Sequence, residues 1–233
     1  MSISATIDWL SATFKISKDT ALHLYGITTE FDEIKAMHGY NSACRYKGTG
    51  VMKFWNNTGD RMGVHYQYPG SSLASLGSSG IPPTAILNRV LTLGGKVSRI
   101  DLAIDIIDEK IDIASLAKDV SEENYPGRKL LWHEHKSPNG GHTLDIGSPK
   151  SDKWIRIYNK AAEVGLDMFW TRLEIQMTGD VAKTISKAFN SGVMGNLHSA
   201  AWAIASGSID LTANPNFAAF GEATDDIGIP KIE

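Results

Sequence analysis

Three side chains in KWIRIYNKAAE, residues 153–163, could do chemistry together, because Arg156, Tyr158 and Lys160 alternate with Ile157 and Asn159. In an extended strand, alternate side chains share one face and lie roughly 7 Å apart. A free phenol has a pKa of about 10 and is a poor nucleophile unless a cation or metal favours the phenolate. Arg156 and Lys160 are spaced to supply that cation. Carboxylates recur at the same spacing in two further segments. In VSRIDLAIDII, Arg99, Asp101, Ala103 and Asp105 share one face, and Ile100, Leu102, Ile104 and Ile106 the other. In WTRLEIQM, Arg172, Glu174 and Gln176 oppose Leu173 and Ile175. Two or three carboxylates on neighbouring strands could hold Mg2+ or Mn2+, which take oxygen ligands and commonly bind phosphates. Such an ion would polarise a phosphodiester and stabilise charge on its leaving oxygen. Attack by the tyrosine would then break a DNA strand and conserve the bond as a phosphotyrosine. Periodicity alone is equally met by an amphipathic sheet whose polar face is wet.

These strands need a scaffold, and the rest of the sequence supplies its pattern. TIDWLSATFKI at 6–16 favours a strand, and KDTALHLYG and TEFDEIKAMHG read as short helices closed by glycines. Segments 39–56 and 61–68, separated by the turn-forming NNTGD, read as hairpin strands, and PGSSLASLGSSG at 69–80 as a flexible loop. IPPTAILNRVLTLGGK predicts a helix with Ile86, Val90 and Leu93 facing the core. A helix around 112–120, strands around 129–135, 142–147, 153–160 and 169–177, a helix from Asp180 to Phe189 and a closing helix in LHSAAWAIASG complete the order. The expected fold is α+β, a mostly antiparallel sheet with helices on one face. IDWLSATF at 7–14 and IDLAIDII at 100–107 echo each other, as a duplicated βα unit would. One domain over 1–206, divisible into subhalves 1–80 and 81–206, would precede an acidic peripheral tail at 207–233.

Composition narrows the partners. The chain has 233 residues, 42% of them hydrophobic, enough for a full core. No run of about 18 apolar residues occurs and the start lacks a secretory pattern. The single Cys44 allows no internal disulfide, so a cytoplasmic protein is the simplest reading. A net charge of −3 argues against indiscriminate nucleic-acid binding. The average conceals segregation: residues 101–123 have a balance of −6, and residues 128–160 one of +4. An acidic site beside a basic track suits a metal-dependent enzyme that handles a polyanion. The glycine-rich stretch at 69–80 lacks the GK[ST] ending of a phosphate loop. Of the six tryptophans, Trp154 adjoins the basic run and is the best placed to stack on a base.

Four stretches carry a resemblance: IDWLSATF, SRIDLAIDI at 98–106, IGSPKSDKWIRIYNKAAE at 146–163 and WTRLEIQMTGDVA at 170–182. In order and separation they resemble the replication initiation factor family of rolling-circle plasmids and filamentous phages, whose members nick one origin strand through a tyrosine. The resemblance covers most of residues 6–190. It implies an HUH-endonuclease-like sheet and a metal-dependent DNA nickase and strand transferase. Tyr158 would be the nucleophile, and Lys160 and Arg156 would contact the scissile phosphate or stabilise the phenolate. Asp101, Glu174 and, less directly, Asp105 would hold Mg2+ or Mn2+, while Lys150, Ser151, Lys153, Trp154 and Arg172 would meet DNA. The implied partners are origin DNA, single-stranded at the nick, a host helicase and polymerase, and a second copy in a homodimer, with no membrane. HUH motifs place a hydrophobic residue between two histidines. HEH at 133–135 has Glu134 there, so His133, His135 and His142 are commoner as exposed hairpin histidines than as ligands. A non-catalytic DNA-binding relative and a nuclease that uses water remain as alternatives.

Overall fold

The fold was analysed in a computed structural model. It describes residues 1–20, 22–57, 61–127, 129–191 and 196–222. Arg128, the end of the NNTGD turn and the last residues of the tail lie outside the described residues. The chain divides into two compact units: one holds Ile7–Asp101 and Thr178–Asn190, the other Met1–Thr6, Leu102–Met177 and the chain from Ser191 onward.

The first unit contains most of β1 (Ser2–Phe14), then β2 (Phe31–Glu33), β3 (Ser42–Tyr46), β4 (Met52–Trp55) and β5 (Val64–Tyr68). They are hydrogen-bonded in the order β2-β3-β4-β5-β1, each neighbouring pair antiparallel. β1 alternates as its sequence requires. Leu10 and Phe14 are buried on the side where the Phe14 ring meets Val90 of α2 (Pro83–Thr92), close against Gly95. On the opposite side Ser11 and Thr13 stand beside Gln67 and His65 of β5. A cluster of Ala43, Met52 and Phe54, covered by Trp9, Ile34, Ala36 and Tyr40, fills part of this unit.

Two expectations fail in this unit for identifiable reasons. Among the described residues, the short helices expected at 18–26 and 29–39 are absent, and Phe31–Glu33 instead pairs with β3. Gly26 and Gly39 do take positive φ (80° and 82°), but they close turns rather than helices. The expected loop at 69–80 is α1 (Gly70–Ser78), with Ser72, Leu73 and Leu76 buried. Pro69 pre-sets its entry, and two leucines three residues apart are enough to bury one side of a helix of small residues. α5 (Gly179–Asn190) packs beside α2 through buried Ala182, Ile185 and Ser186.

The other unit contains the second half of β6 (Lys96–Ile107), then α3 (Ile113–Ser121), β7 (Trp132–Lys136), β8 (His142–Gly147), β9 (Lys153–Asn159), α4 (Lys160–Val164) and β10 (Trp170–Thr178). Strand order runs β6-β10-β9-β8-β7. The order among β6–β10 therefore repeats that among β1–β5. The IDW/IDL echo is not the signature of this repeat. Asp8 abuts Gly70 on the helix-covered side of β1, whereas Asp101 binds Arg99, whose guanidinium lies 4.5 Å over Trp9 on the opposite side.

α6 (Leu197–Ser208) and α7 (Pro215–Ala218), with a 3-10 turn at Ala219–Gly221, follow. The segment expected to be a peripheral tail is packed this far, because Ile209, Leu211, Phe217 and Phe220 are buried. The Asn214 amide donates to Asp119 Oδ2 and Ser115 Oγ on α3, which ties the segment to its own unit. No helix among the described residues is long and apolar enough to cross a membrane.

Candidate active site

The strand β10 reads WTRLEIQMT, and its two faces have different partners. Leu173, Ile175 and Met177 are fully buried in the apolar core, which turns Arg172, Glu174 and Gln176 to the other face. Antiparallel pairing sets Arg156 of β9 opposite Glu174 and Tyr158 opposite Arg172. Across β8 the rows continue with Asp145 opposite Arg156 and Thr143 opposite Tyr158. At β7 they end on His133 opposite Asp145 and His135 opposite Thr143. Two adjacent rows thus cross one sheet face: His133–Asp145–Arg156–Glu174 and His135–Thr143–Tyr158–Arg172.

This face is not the wet side of an ordinary amphipathic sheet. Glu174 is 2% exposed, Tyr158 9%, and Asp105, Arg172 and Gln176 are also buried. Charges withdrawn from water are costly unless each is paired and hydrogen-bonded, and here they are. The Tyr158 hydroxyl donates to Glu174 Oε2 at 3.1 Å, and Arg156 Nη2 donates to Glu174 Oε1 in a short ion pair. Arg172 donates through Nε and Nη2 to the two oxygens of Asp105 at 2.8 Å each, and Trp170 Nε1 donates to Asp105 at 2.7 Å. The His135 ring is 3.2 Å from the Asp145 carboxylate. Burial pushes the Asp145 carboxyl up, against His135 and Arg156, which pull it down.

Cations surround the tyrosine ring. The Arg156 guanidinium lies 5.7 Å from the Tyr158 centroid and 4.7 Å from that of Trp154, and Lys160 Nζ lies 5.7 Å over Tyr158. Lys160 does so from the first turn of α4 rather than from the strand. β9 ends at Asn159, whose side chain caps the helix by accepting from Ala162 N. Lys160 Nζ also binds Glu163 at 2.8 Å. Of the Arg156–Glu174 pair, only the arginine reaches solvent appreciably, with 31% of its side chain exposed.

The other expected site residues divide between this face and elsewhere. Asp101 is bound by Arg99 within the first unit. Lys150 is exposed on the β8–β9 connection, and Lys153 is exposed as the first residue of β9. Ser151 spends its hydroxyl on Ser148 O at 2.6 Å and on Lys153 O, which closes that turn. Trp154 carries the Arg156 guanidinium over its ring, which ties it to the Arg156–Glu174 pair. Arg172, expected at the DNA surface, is buried with Asp105 because a bidentate pair and a tryptophan satisfy both groups there. The Glu134 carboxylate is taken by Lys136 and His142, which hold it below the usual carboxylate range. Asp145, Thr143 and Trp170 were not singled out from the sequence; the alternation of HTLDIG already puts Thr143 and Asp145 on one face.

The three carboxylates expected to hold a metal ion, Asp101, Asp105 and Glu174, are each committed to a different arginine. Among the described residues no three of His, Cys, Asp and Glu converge as an ion would require. In this arrangement the donor set does not fit Mg2+ or Mn2+.

Residues 95–216, more than half the chain and running from β6 into α7, match the family model described as replication initiation factor. The chain belongs to the replication initiation factor family. Its fold is that of a rolling circle replication initiator of known structure. The rolling circle replication initiator protein from Geobacillus stearothermophilus is 23% identical and superposes with a TM-score of 0.68, over 89% of this chain and 84% of that one. DynU16, a protein of the dynemicin biosynthetic locus, is 13% identical with a TM-score of 0.25 over 69% of this chain and 70% of its own. No curated protein sequence matches the chain. The family match supports replication initiation, and the α+β sheet expected from periodicity is the fold observed.

The strand order is duplicated, but the side chains of the Tyr158 face are not. α1 and α5 both start on a glycine after the last strand of their group, Gly70 and Gly179. Counting back from each, Gln67 matches Gln176 and His65 matches Glu174. The partner of His65 on β4 is Phe54, where β9 has Arg156, and two residues on Asn56 stands where β9 has Tyr158. The first group thus keeps the strand order without counterparts of Tyr158, Arg156 and Glu174.

Proposed function

We propose that this protein is a rolling-circle initiator that nicks and rejoins one strand of origin DNA through Tyr158. The observation that carries the proposal is the Tyr158 hydroxyl donating to a buried carboxylate, Glu174, that an arginine also holds. That arrangement gives the phenol proton a destination and gives the incoming phosphate a cation. As the phosphate engages Arg156 from the solvent side, the guanidinium shares its charge between phosphate and Glu174. The Tyr158 proton passes to Glu174, the phenol oxygen bonds to phosphorus, and the bond from phosphorus to the 3′ oxygen breaks. The 3′ oxygen takes a proton from water and becomes a free hydroxyl. The 5′ end stays joined to Tyr158. Lys160 over the ring and Arg156 beside it favour negative charge on the phenol oxygen. Attack by a 3′ hydroxyl on the phosphotyrosine reverses the steps and rejoins the strand.

Lys150 and Lys153 would track the DNA backbone beside the site, with the substrate single-stranded at the nick. A host polymerase would extend the released 3′ hydroxyl after a host helicase parts the strands. No step here is routed through a divalent ion, because each expected ligand is held by an arginine. The test is incubation with end-labelled origin-strand oligonucleotide in Mg2+ or Mn2+, followed by denaturing electrophoresis. An SDS-resistant adduct that disappears in Tyr158→Phe supports the proposal. Cleavage without an adduct would replace it with hydrolysis by water, and binding without cleavage with a regulatory relative.

A further inference from the structure

A second constellation lies wholly in the first unit. A cleft of about 440 Å3 is lined by Lys15, Lys18, Trp55, Asn57 and Arg61, among others. Its parts are held in place by one another. Asn57 Oδ1 accepts from Trp55 Nε1 at 3.1 Å and from Lys18 Nζ at 3.3 Å, so a single amide positions the indole and an ammonium. Lys15 Nζ donates to Arg61 O at 2.6 Å, and Lys53 Nζ lies 5.3 Å over the Trp55 ring while donating to Lys18 O.

The acceptors decide what the cleft suits. Arg99, Arg156 and Arg172 each bind a carboxylate, as do Lys47, Lys118, Lys129, Lys136, Lys160 and Lys183. The amines of Lys15, Lys18 and Lys53 rest on neutral carbonyl and amide oxygens, and Asp19 attracts Lys53 from nearby. Among the described residues that line the cleft, Lys15, Lys18 and Arg61 stand against one carboxylate, Asp19. An excess of cations around a half-buried tryptophan is the combination that binds unpaired nucleotides: cations take the phosphates and the indole stacks on a base. A duplex would use the cations and leave the tryptophan idle.

We propose that this cleft is a second single-stranded DNA site, where Lys15, Lys18 and Arg61 hold the backbone and Trp55 stacks a base. It extends the proposed function without depending on it, since it requires binding and no chemistry. The experiment uses full-length protein carrying Tyr158→Phe, so that covalent capture plays no part. A fluorescein-labelled oligothymidylate of about fifteen nucleotides is titrated by anisotropy, and an iodouracil-containing copy is photocrosslinked and mapped by mass spectrometry. The proposal predicts a crosslink at Trp55 and roughly five- to tenfold weaker binding for Trp55→Leu. Trp55→Phe keeps a stacking ring and should recover most of the affinity. Lys18→Ala and Arg61→Ala should each weaken binding and lower the salt dependence by about 0.7 in the logarithmic slope. Crosslinks found only elsewhere, with affinities unchanged in all four variants, would overturn it. So would a duplex of the same length competing equally well. Adduct formation by the same variants with Tyr158 restored separates a failure of this cleft from a failure of the nicking mechanism.

Discussion

Replacing Glu174 by glutamine removes the proton acceptor of Tyr158 while keeping its size and one acceptor oxygen. Two costs follow. Breaking a fully buried ion pair by removing one partner costs about 3–5 kcal/mol. Glu174 is 2% exposed, but 31% of the Arg156 side chain reaches water and stays solvated, which lowers the stability cost to about 1–2 kcal/mol. The chemical cost is larger, because losing a positioned general base slows proton transfer about a hundred- to ten-thousand-fold. Single-turnover adduct formation, measured at several pH values on protein shown to be folded by circular dichroism, reads this directly. Glu174→Gln should be slow at neutral pH and gain rate as hydroxide takes over the proton. If Glu174 served instead as a metal ligand, raising Mn2+ would restore the rate and raising pH would not. A variant within about threefold of the parent protein at every pH would refute the proton-acceptor role.

Asp105→Ala strands Arg172, 7% exposed, in the buried layer and should cost about 3–5 kcal/mol in urea unfolding; Asp105→Ala with Arg172→Met should recover part of that loss. His65 is 7% exposed, and burial, reinforced by His38, lowers its pKa from 6.5 to about 4. The unfolded chain therefore takes the proton first as pH falls. Stability should be full above about pH 6.5 and fall by roughly 3 kcal/mol between there and about pH 4, a component that His65→Gln should remove from the pH profile of thermal unfolding.

The alternation of VSRIDLAIDII, KWIRIYN and WTRLEIQM was enough to place Asp105, Arg156, Tyr158 and Glu174 on one face, because a buried apolar stripe leaves a strand no freedom to turn over. Alternation could not tell which cation would meet which carboxylate. That depends on register between strands distant in sequence, and register set Arg156 rather than Lys160 against Glu174. It also buried a face that composition made look wet. PGSSLASLGSSG was misread because serine and glycine favour loops locally, while burial of Leu73 and Leu76 decides in the fold. FDE at 31–33 was misread as helix because an edge strand of three residues has too short a pattern to declare itself. The cleft around Trp55 was invisible for the same reason as the ion pairs: Lys15 and Lys18 meet Asn57 and Arg61 only through tertiary contact.

The central claim is that Tyr158 becomes covalently bound to DNA. Trypsin cuts after Arg156 and Lys160, so the peptide Ile157-Tyr158-Asn159-Lys160 isolates the proposed nucleophile. After reaction with origin-strand DNA and nuclease trimming, tandem mass spectrometry of the digest should find this peptide carrying a nucleotide through its tyrosine, with a free 3′ hydroxyl on the released strand. A nucleotide on any other tyrosine, or an unmodified Ile157–Lys160 peptide beside a cleaved strand, would contradict the account.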